Sequence, residues 1–200
     1  MNTPRILAAG CLTLVAAALS GCGGGQTVNA LPTYPLAPLS AGQAEGMKIY
    51  AGPDGTIEKF SMYVTADAIP QWAVELADKE IGAGEVESFE IEQYADGRQT
   101  FEITRKIDGV KVEISVSTDK KVNYIERAMT LEQLPAPVQA AVKGIEGLTV
   151  EEIESRKGEG METYEVEGKI GSMTHGFLYS ADGKPLERTR QIPGKLKVRY

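Results

Sequence analysis

The chain has 200 residues, of which 42% are hydrophobic and 24% charged, enough for one ordinary globular domain or two small ones. A formal net charge of −7 argues against nucleic acid as the main partner, because phosphate binding needs a basic footprint. One histidine and two cysteines leave too few ligands for a structural zinc site and little for Ser-His-Asp or Cys-His chemistry. No catalytic residue, metal ligand or cofactor is assigned.

The first 21 residues have the layout of an export signal. Arg5 is the only charge before Glu45, and an apolar run from Ile6 to Leu19 follows it. That run is shorter than the roughly 20 residues a membrane-spanning helix needs, which favours a cleaved secretory signal. It closes on Leu19-Ser20-Gly21-Cys22. These four residues resemble the lipobox of bacterial lipoproteins. The resemblance implies a diacylglycerol on the Cys22 thiol, cleavage before Cys22, and a chain held at a bacterial membrane on its periplasmic or surface side. Two or more acyl chains, at about 0.8 kcal/mol per buried CH₂, anchor stably where one does not. Loss of residues 1–21 leaves 20 basic and 28 acidic residues and Cys22 as the sole cysteine, so no disulfide supports the exported part.

Residues 22–46 read as a tether. Gly23-Gly24-Gly25 opens the segment, and Pro32, Pro35 and Pro38 stand among Leu, Thr, Tyr and Ala without helical or strand period. A chain of this length reaches roughly 25–30 Å. Residues 47–68 then predict a hairpin, with Asp54-Gly55 at its turn.

The remainder shows internal offsets. The turn at Asp54 recurs at Asp119, and Ile69-Pro70 recurs at Leu134-Pro135, both 65 residues on. The turn at Asp119 recurs at Asp182, and Phe101-Glu102-Ile103 recurs at Tyr164-Glu165-Val166, both 63 residues on. Each unit opens with a proline near a helix start, where the missing N–H costs nothing. Leu134, Val138, Ala141, Val142 and Ile145 form a one-sided stripe, as do Ile69, Ala73, Leu76 and Ala77. Thr130 and Gln133 have the spacing of a capping box before the second helix.

Strands are expected after each helix. Phe101, Ile103 and Ile107 alternate with polar residues, as do Val110, Val112, Ile114 and Val116. Asp108-Gly109 between these runs is a hairpin signal, and Asp96-Gly97 and Asp182-Gly183 mark further turns. The expected fold class is therefore α+β: two tandem repeats, 69–133 and 134–200, each one helix packed on a four-stranded antiparallel meander, preceded by the extra hairpin. The two units are expected to share one core, as a continuous sheet with both helices on one face or as two sheets side by side.

Four motifs carry a wider resemblance: Leu134-Pro135, Glu151-Glu152-Ile153-Glu154, Tyr164-Glu165-Val166-Glu167 and Ala181-Asp182-Gly183-Lys184. Together they resemble PepSY-like domains, which are compared with the β-lactamase-inhibitor-protein fold. Residues 69–127 resemble them less, with Asp119-Lys120-Lys121 in place of the glycine turn. The resemblance implies an exported or membrane-attached protein, with inhibition of peptidases or other envelope proteins as the role proposed for such domains. It brings no catalytic residues.

Candidate binding residues are few. Trp72, the sole tryptophan, lies off the helix stripe and is the first candidate anchor for a partner. Ile125, Met129 and Leu178 are expected to interrupt an otherwise polar sheet face, marking an interaction patch or a seam between units. His175 alternates with Phe177 and Tyr179, which predicts a packed histidine rather than a ligand. Glu85, Glu87, Glu90 and Glu92, with Glu151, Glu152 and Glu154, predict a solvated acidic stripe rather than a calcium site. The function expected is a non-enzymatic cell-envelope lipoprotein binding an envelope protein or peptide, with inhibition as one outcome. A small-molecule or metal-binding sensor, or a purely structural envelope protein, is the alternative.

Overall fold

The computed structural model describes residues 44–158 and 160–193; Cys22, the expected signal and nearly all of the tether lie outside them. Ten strands follow in chain order with two helices between them. They are β1 (Ala44–Ala51), β2 (Ile57–Val64), α1 (Gln71–Ile81), β3 (Glu85–Tyr94), β4 (Gln99–Ile107), β5 (Val110–Ser117) and β6 (Val122–Ala128). After these come α2 (Ala136–Lys143), β7 (Leu148–Gly158), β8 (Met161–Ile170), β9 (Met173–Ser180) and β10 (Pro185–Arg190). None of the described helices is long and apolar enough to cross a membrane.

The expectation of two helix-plus-four-strand repeats as the organising units is corrected by the sheet. All ten strands form one antiparallel sheet in the order β1 to β10. There is no break where the two units are expected to meet, since Ile125–Ala128 of β6 pair with Lys157–Glu154 of β7. The physical reason lies in the backbone. Two separate meanders would each expose a row of unpaired N–H and C=O groups at this edge, and joining them satisfies both rows. The described residues are mostly sheet, with short helices of 11 and 8 residues lying on it.

Local chemistry sets the turns. Between β4 and β5, Asp108 (φ 51°) and Gly109 (φ 82°) occupy the two central positions of a tight hairpin, with Ile107 opposite Val110. Positive φ at both positions matches the right-handed twist of the strands it joins, which is why Asp-Gly stands there. The Thr130–Gln133 capping box forms, with the Thr130 N–H donating to Gln133 Oε1 at 2.7 Å, but it caps a 3-10 turn ahead of α2. At the end of α1, Arg105 is almost fully buried and donates to the Gly82 carbonyl at 2.7 Å while pairing with Asp78 at 2.6 Å.

Both helices lie on one face of the sheet. Ala73, Ala77 and Ile81 of α1 pack with Met62, Ile103, Val112, Ile114 and Val116, and small alanines let the helix approach closely. Val138 and Val142 of α2 pack with Ile153, Tyr164, Val166, Phe177 and Tyr179. Among the described residues, the other face has no helix. Lys48 of β1 and Glu167 of β8 line one cleft of about 340 Å³ there. At about 4.8 Å per strand a flat sheet would hold them roughly 34 Å apart, so the sheet curls with its helix-free face inward.

Candidate functional site

The cleft is built from the alternate residues of eight strands. Because side chains alternate, the positions that do not feed the apolar clusters all point the other way. Nine of them are glutamates: Glu90 and Glu92 (β3), Glu102 (β4), Glu113 (β5), Glu126 (β6), Glu152 and Glu154 (β7), and Glu165 and Glu167 (β8). Four cations share the lining, namely Lys48, Lys59, Lys111 and Arg156. The register sets like charges directly opposite one another. Glu90 faces Glu102, Glu113 faces Glu126, Glu152 faces Glu167, and Glu154 faces Glu165. Such pairs destabilise a sheet, so the fold alone gives no reason for them.

Several of these carboxylates are far from water. Glu92 is 1% exposed, Glu90 and Glu126 are 4% exposed, and Glu102 is 5% exposed. This corrects the expectation of a solvated acidic stripe. The curl of the sheet, which no local pattern encodes, encloses the row. Glu85 and Glu87 do stay exposed at the start of β3, where a bulge takes Glu87 out of the ladder; a second bulge does the same to Glu151.

The flanks of the cleft carry their own cations. Lys59 donates to Glu92 and stands 4.3 Å from the Tyr50 ring centre and 5.6 Å from that of Tyr94. Glu92 also accepts from Tyr94 (2.7 Å) and Thr100 (3.0 Å). Arg156 donates to Glu126 and, at 3.2 Å, to Glu165, and lies 4.5 Å over the Tyr124 ring. Lys111 reaches Glu152 at 2.7 Å and Glu154 at 3.3 Å. In the centre, Glu90, Glu102 and Glu113 offer carboxylate oxygens all within 4.8 Å of one another. Their partners are mostly hydroxyls. Ser61 donates to Glu90, Tyr124 to Glu102, and Thr104 to Glu113 at 3.0 Å. Lys48 lies 3.5 Å from Glu90.

The electrostatics follow from this division. Burial, then the charges of Glu113 and Glu92, holds the Glu102 carboxyl well above the usual carboxylate range. Burial, then Glu126 and Glu90, pushes Glu113 up to about 8. Burial and Glu126 raise Glu154 to about 7, against the pull of Lys111. Glu92 goes the other way, because Lys59 and three hydrogen bonds outweigh its burial. Glu102 and Glu113 at the centre of the cleft are therefore biased toward their protonated forms, while the flank at Lys59 holds an ion pair with Glu92.

Of the residues singled out from sequence, Glu90, Glu92, Glu152 and Glu154 line the cleft, whereas Trp72, Ile125, Met129, Leu178 and His175 do not. Trp72 is half-buried on the helix side, edge-on to Phe101 at 5.6 Å between ring centres, with the Lys120 ammonium 5.6 Å over it. Ile125 and Met129 do not interrupt the polar face. They pack against the two apolar clusters, because a bulge between β5 and β6 resets the phase of β6 and turns Glu126 into the cleft instead. Leu178 does lie on the helix-free side, opposite Glu165 and Glu187. His175 is buried and stacked on Phe177, with ring centres 6.2 Å apart. Sequence reasoning misses Glu102, Glu113 and Glu126, each on a separate strand. The readable signal is a glutamate at the polar phase of successive strands, alongside Tyr50, Tyr63 and Tyr124.

No family model matches the chain, and no curated protein matches it in sequence. The solved structures similar to this chain include three from Bacteroides species. A DUF2874 family protein from Bacteroides uniformis ATCC 8492 is 11% identical, with a TM-score of 0.49 over 61% of this chain and 89% of its own. A DUF2874 family protein from Bacteroides ovatus ATCC 8483 is 10% identical, with a TM-score of 0.48 over 60% and 86%. A BLIP-like protein from Bacteroides fragilis NCTC 9343 is 15% identical, with a TM-score of 0.47 over 67% and 97%.

Proposed function

We propose that this is a non-enzymatic, exported cell-envelope protein, lipid-anchored at Cys22, that takes a protein or peptide partner on the concave, helix-free face of its sheet. One observation carries the reading. Both helices cover the same side of a ten-stranded sheet, and the uncovered side is an inward-curled cleft lined with charged groups and tyrosines. Tyrosine supplies large contact area with a polar tip, the chemistry enriched where proteins meet. The signal-like residues 1–21 and the proline-bearing tether support placement at the membrane surface, with the sheet held away from the bilayer.

The test is a photo-crosslinking amino acid at Tyr63 in the cleft and, separately, at Glu75 on α1, in the full chain in its cells. A discrete crosslinked partner from Tyr63 and none from Glu75 is expected. The reverse pattern would sink the reading. Mass spectrometry of the mature N-terminus tests the anchor, with a diacylglycerol mass on Cys22 expected and the Cys22→Ala chain released into the soluble fraction.

A small cation is the second reading, on the grouping of Glu90, Glu102 and Glu113. Calcium takes six to eight oxygens, and three carboxylates supply at most six. Calorimetric titration with calcium and with zinc decides this, and no heat at millimolar metal removes it.

A further inference from the structure

The flanks of the cleft show what this face does with a cation. At Lys59 an ammonium lies between a carboxylate and the rings of Tyr50 and Tyr94. At Arg156 a guanidinium joins two carboxylates beneath the ring of Tyr124. At Lys111 an ammonium bridges two carboxylates. Among the described residues, no cation pairs with Glu102 or Glu113, which lie between these stations. The lining as a whole has nine glutamates against four cations, a surplus of five carboxyl groups. Ring faces recognise organic cations, and an ammonium has three donors to share among three carboxylates. A cleft of about 340 Å³ suits side chains of a chain segment better than a folded surface.

We propose that the partner segment is cationic, and that its lysine or arginine side chains seat at the centre of the cleft over Glu102 and Glu113. This rests on the reading of the concave face as a docking surface and specifies what docks there. The negative surplus at the uncovered face supplies the charge complementarity.

Docking is coupled to proton release. Glu113 faces Glu102 and Thr104 from β4, Glu126 from β6, Glu90 from β3 and Glu154 from β7, with Lys111 on its own strand. Glu102 faces Glu90 and Glu92 from β3, Glu113 from β5, Tyr124 from β6 and Lys59 from β2. Burial and the surrounding carboxylates keep protons on both groups. An incoming cation reverses that balance and favours their ionised forms, so protons leave as the segment binds. Through Glu113, affinity therefore rises with pH up to about 8, where the free carboxyl ionises without help, and Glu102 acts in the same direction.

Calorimetry on the full chain tests this with three probes: a decapeptide alternating Lys and Ser, its Glu-Ser counterpart, and calcium chloride alone. Titrations run at low salt, at pH 6 and pH 8.5, in two buffers of different ionisation enthalpy. The Lys-Ser peptide is expected to bind about tenfold more tightly at pH 8.5 than at pH 6, which by linkage corresponds to release of about 0.4 proton per complex averaged over that range. The double variant Glu102→Gln/Glu113→Gln is expected to bind about tenfold more weakly at pH 8.5 with a smaller pH dependence, the remainder coming from Glu154, and amides relieve the repulsion, so it folds. Removing two charges outside the cleft, with Glu75→Gln/Glu146→Gln, is expected to leave binding within about twofold, which separates the cleft from net charge. Equal binding of the Glu-Ser peptide, pH-independent affinity, heat from calcium alone, or no binding of the Lys-Ser peptide would each overturn the inference. Crosslinks from Tyr63 to a neutral or acidic partner would overturn the cationic occupant while leaving the docking face in place. Crosslinks from Glu75 alone would remove the docking face itself.

Discussion

At Glu113 a carboxyl group is kept protonated by its surroundings, and this has a consequence for stability that needs no partner. Its pKa is about 8 in the fold, raised by burial and then by Glu126 and Glu90, against an ordinary 4.5. Between those values the folded chain binds more protons than the unfolded one, so stability falls as pH rises through that window. Glu102 and Glu154 are raised too and add in the same direction. Urea denaturation should give a less stable protein at pH 8.5 than at pH 5, and Glu113→Gln should recover on the order of 2 kcal/mol at the higher pH. Equal stability at both pH values would show that these carboxyl groups are solvated after all. Arg105 is the opposite case, a buried cation held by named partners at one end of its guanidinium. Arg105→Ala leaves the Gly82 carbonyl at the end of α1 without its donor and Asp78 without its partner, and should cost about 2–3 kcal/mol in the same measurement.

At the level of elements, the parts governed by short-range chemistry are legible in the amino-acid order alone. The alternation in 99–107 and 110–117 gives β4 and β5, and Asp108-Gly109 gives their hairpin at the correct two residues. Gly109→Ala should therefore cost about 1–2 kcal/mol by urea denaturation, since an alanine is strained at a φ of 82°. The helix starts after Ile69-Pro70 and Leu134-Pro135 are legible too, because proline and the apolar stripe act within one turn. Phase errors come from bulges. One residue of slip moves every later side chain to the other face, so simple alternation puts Ile125 and Met129 on the polar side when they pack on the apolar one. Nothing in a run of seven residues announces such a slip. The site is legible only as acidic composition, because its enclosure depends on the curl of the whole sheet and on which strands meet where no hairpin connects them.

At the scale of the molecule, the meeting of β6 and β7 decides whether the protein behaves as one body. The apolar side chains form two clusters, one beneath each helix, and the sheet between them is joined by the short ladder over Ile125–Ala128 and by the Met129 N–H donating to the Ile153 carbonyl at 2.9 Å. The join is reinforced from the cleft side by Arg156, which reaches Glu126 on one strand and Glu165 on another. Gly158 stands against it, where an added Cβ would lie 2.2 Å from the Asn123 carbonyl oxygen and 3.0 Å from Tyr124 Cβ. No side chain fits that gap without moving β6 away from β7. An unbroken ladder makes each cluster contribute to holding the other, so wild-type protein should melt in one calorimetric transition whose measured and van't Hoff enthalpies agree. Gly158→Val is expected to open the join from this end, and Gly158 belongs to neither cluster. It should therefore resolve two transitions, and it should weaken cleft binding as well, because Glu102 and Glu113 on one side lose their fixed relation to Glu154 and Glu165 on the other. A variant melting in one transition at a lower temperature would show instead that the clusters are coupled through more than this seam. Two transitions in the wild type would show that the continuous sheet does not make one cooperative unit.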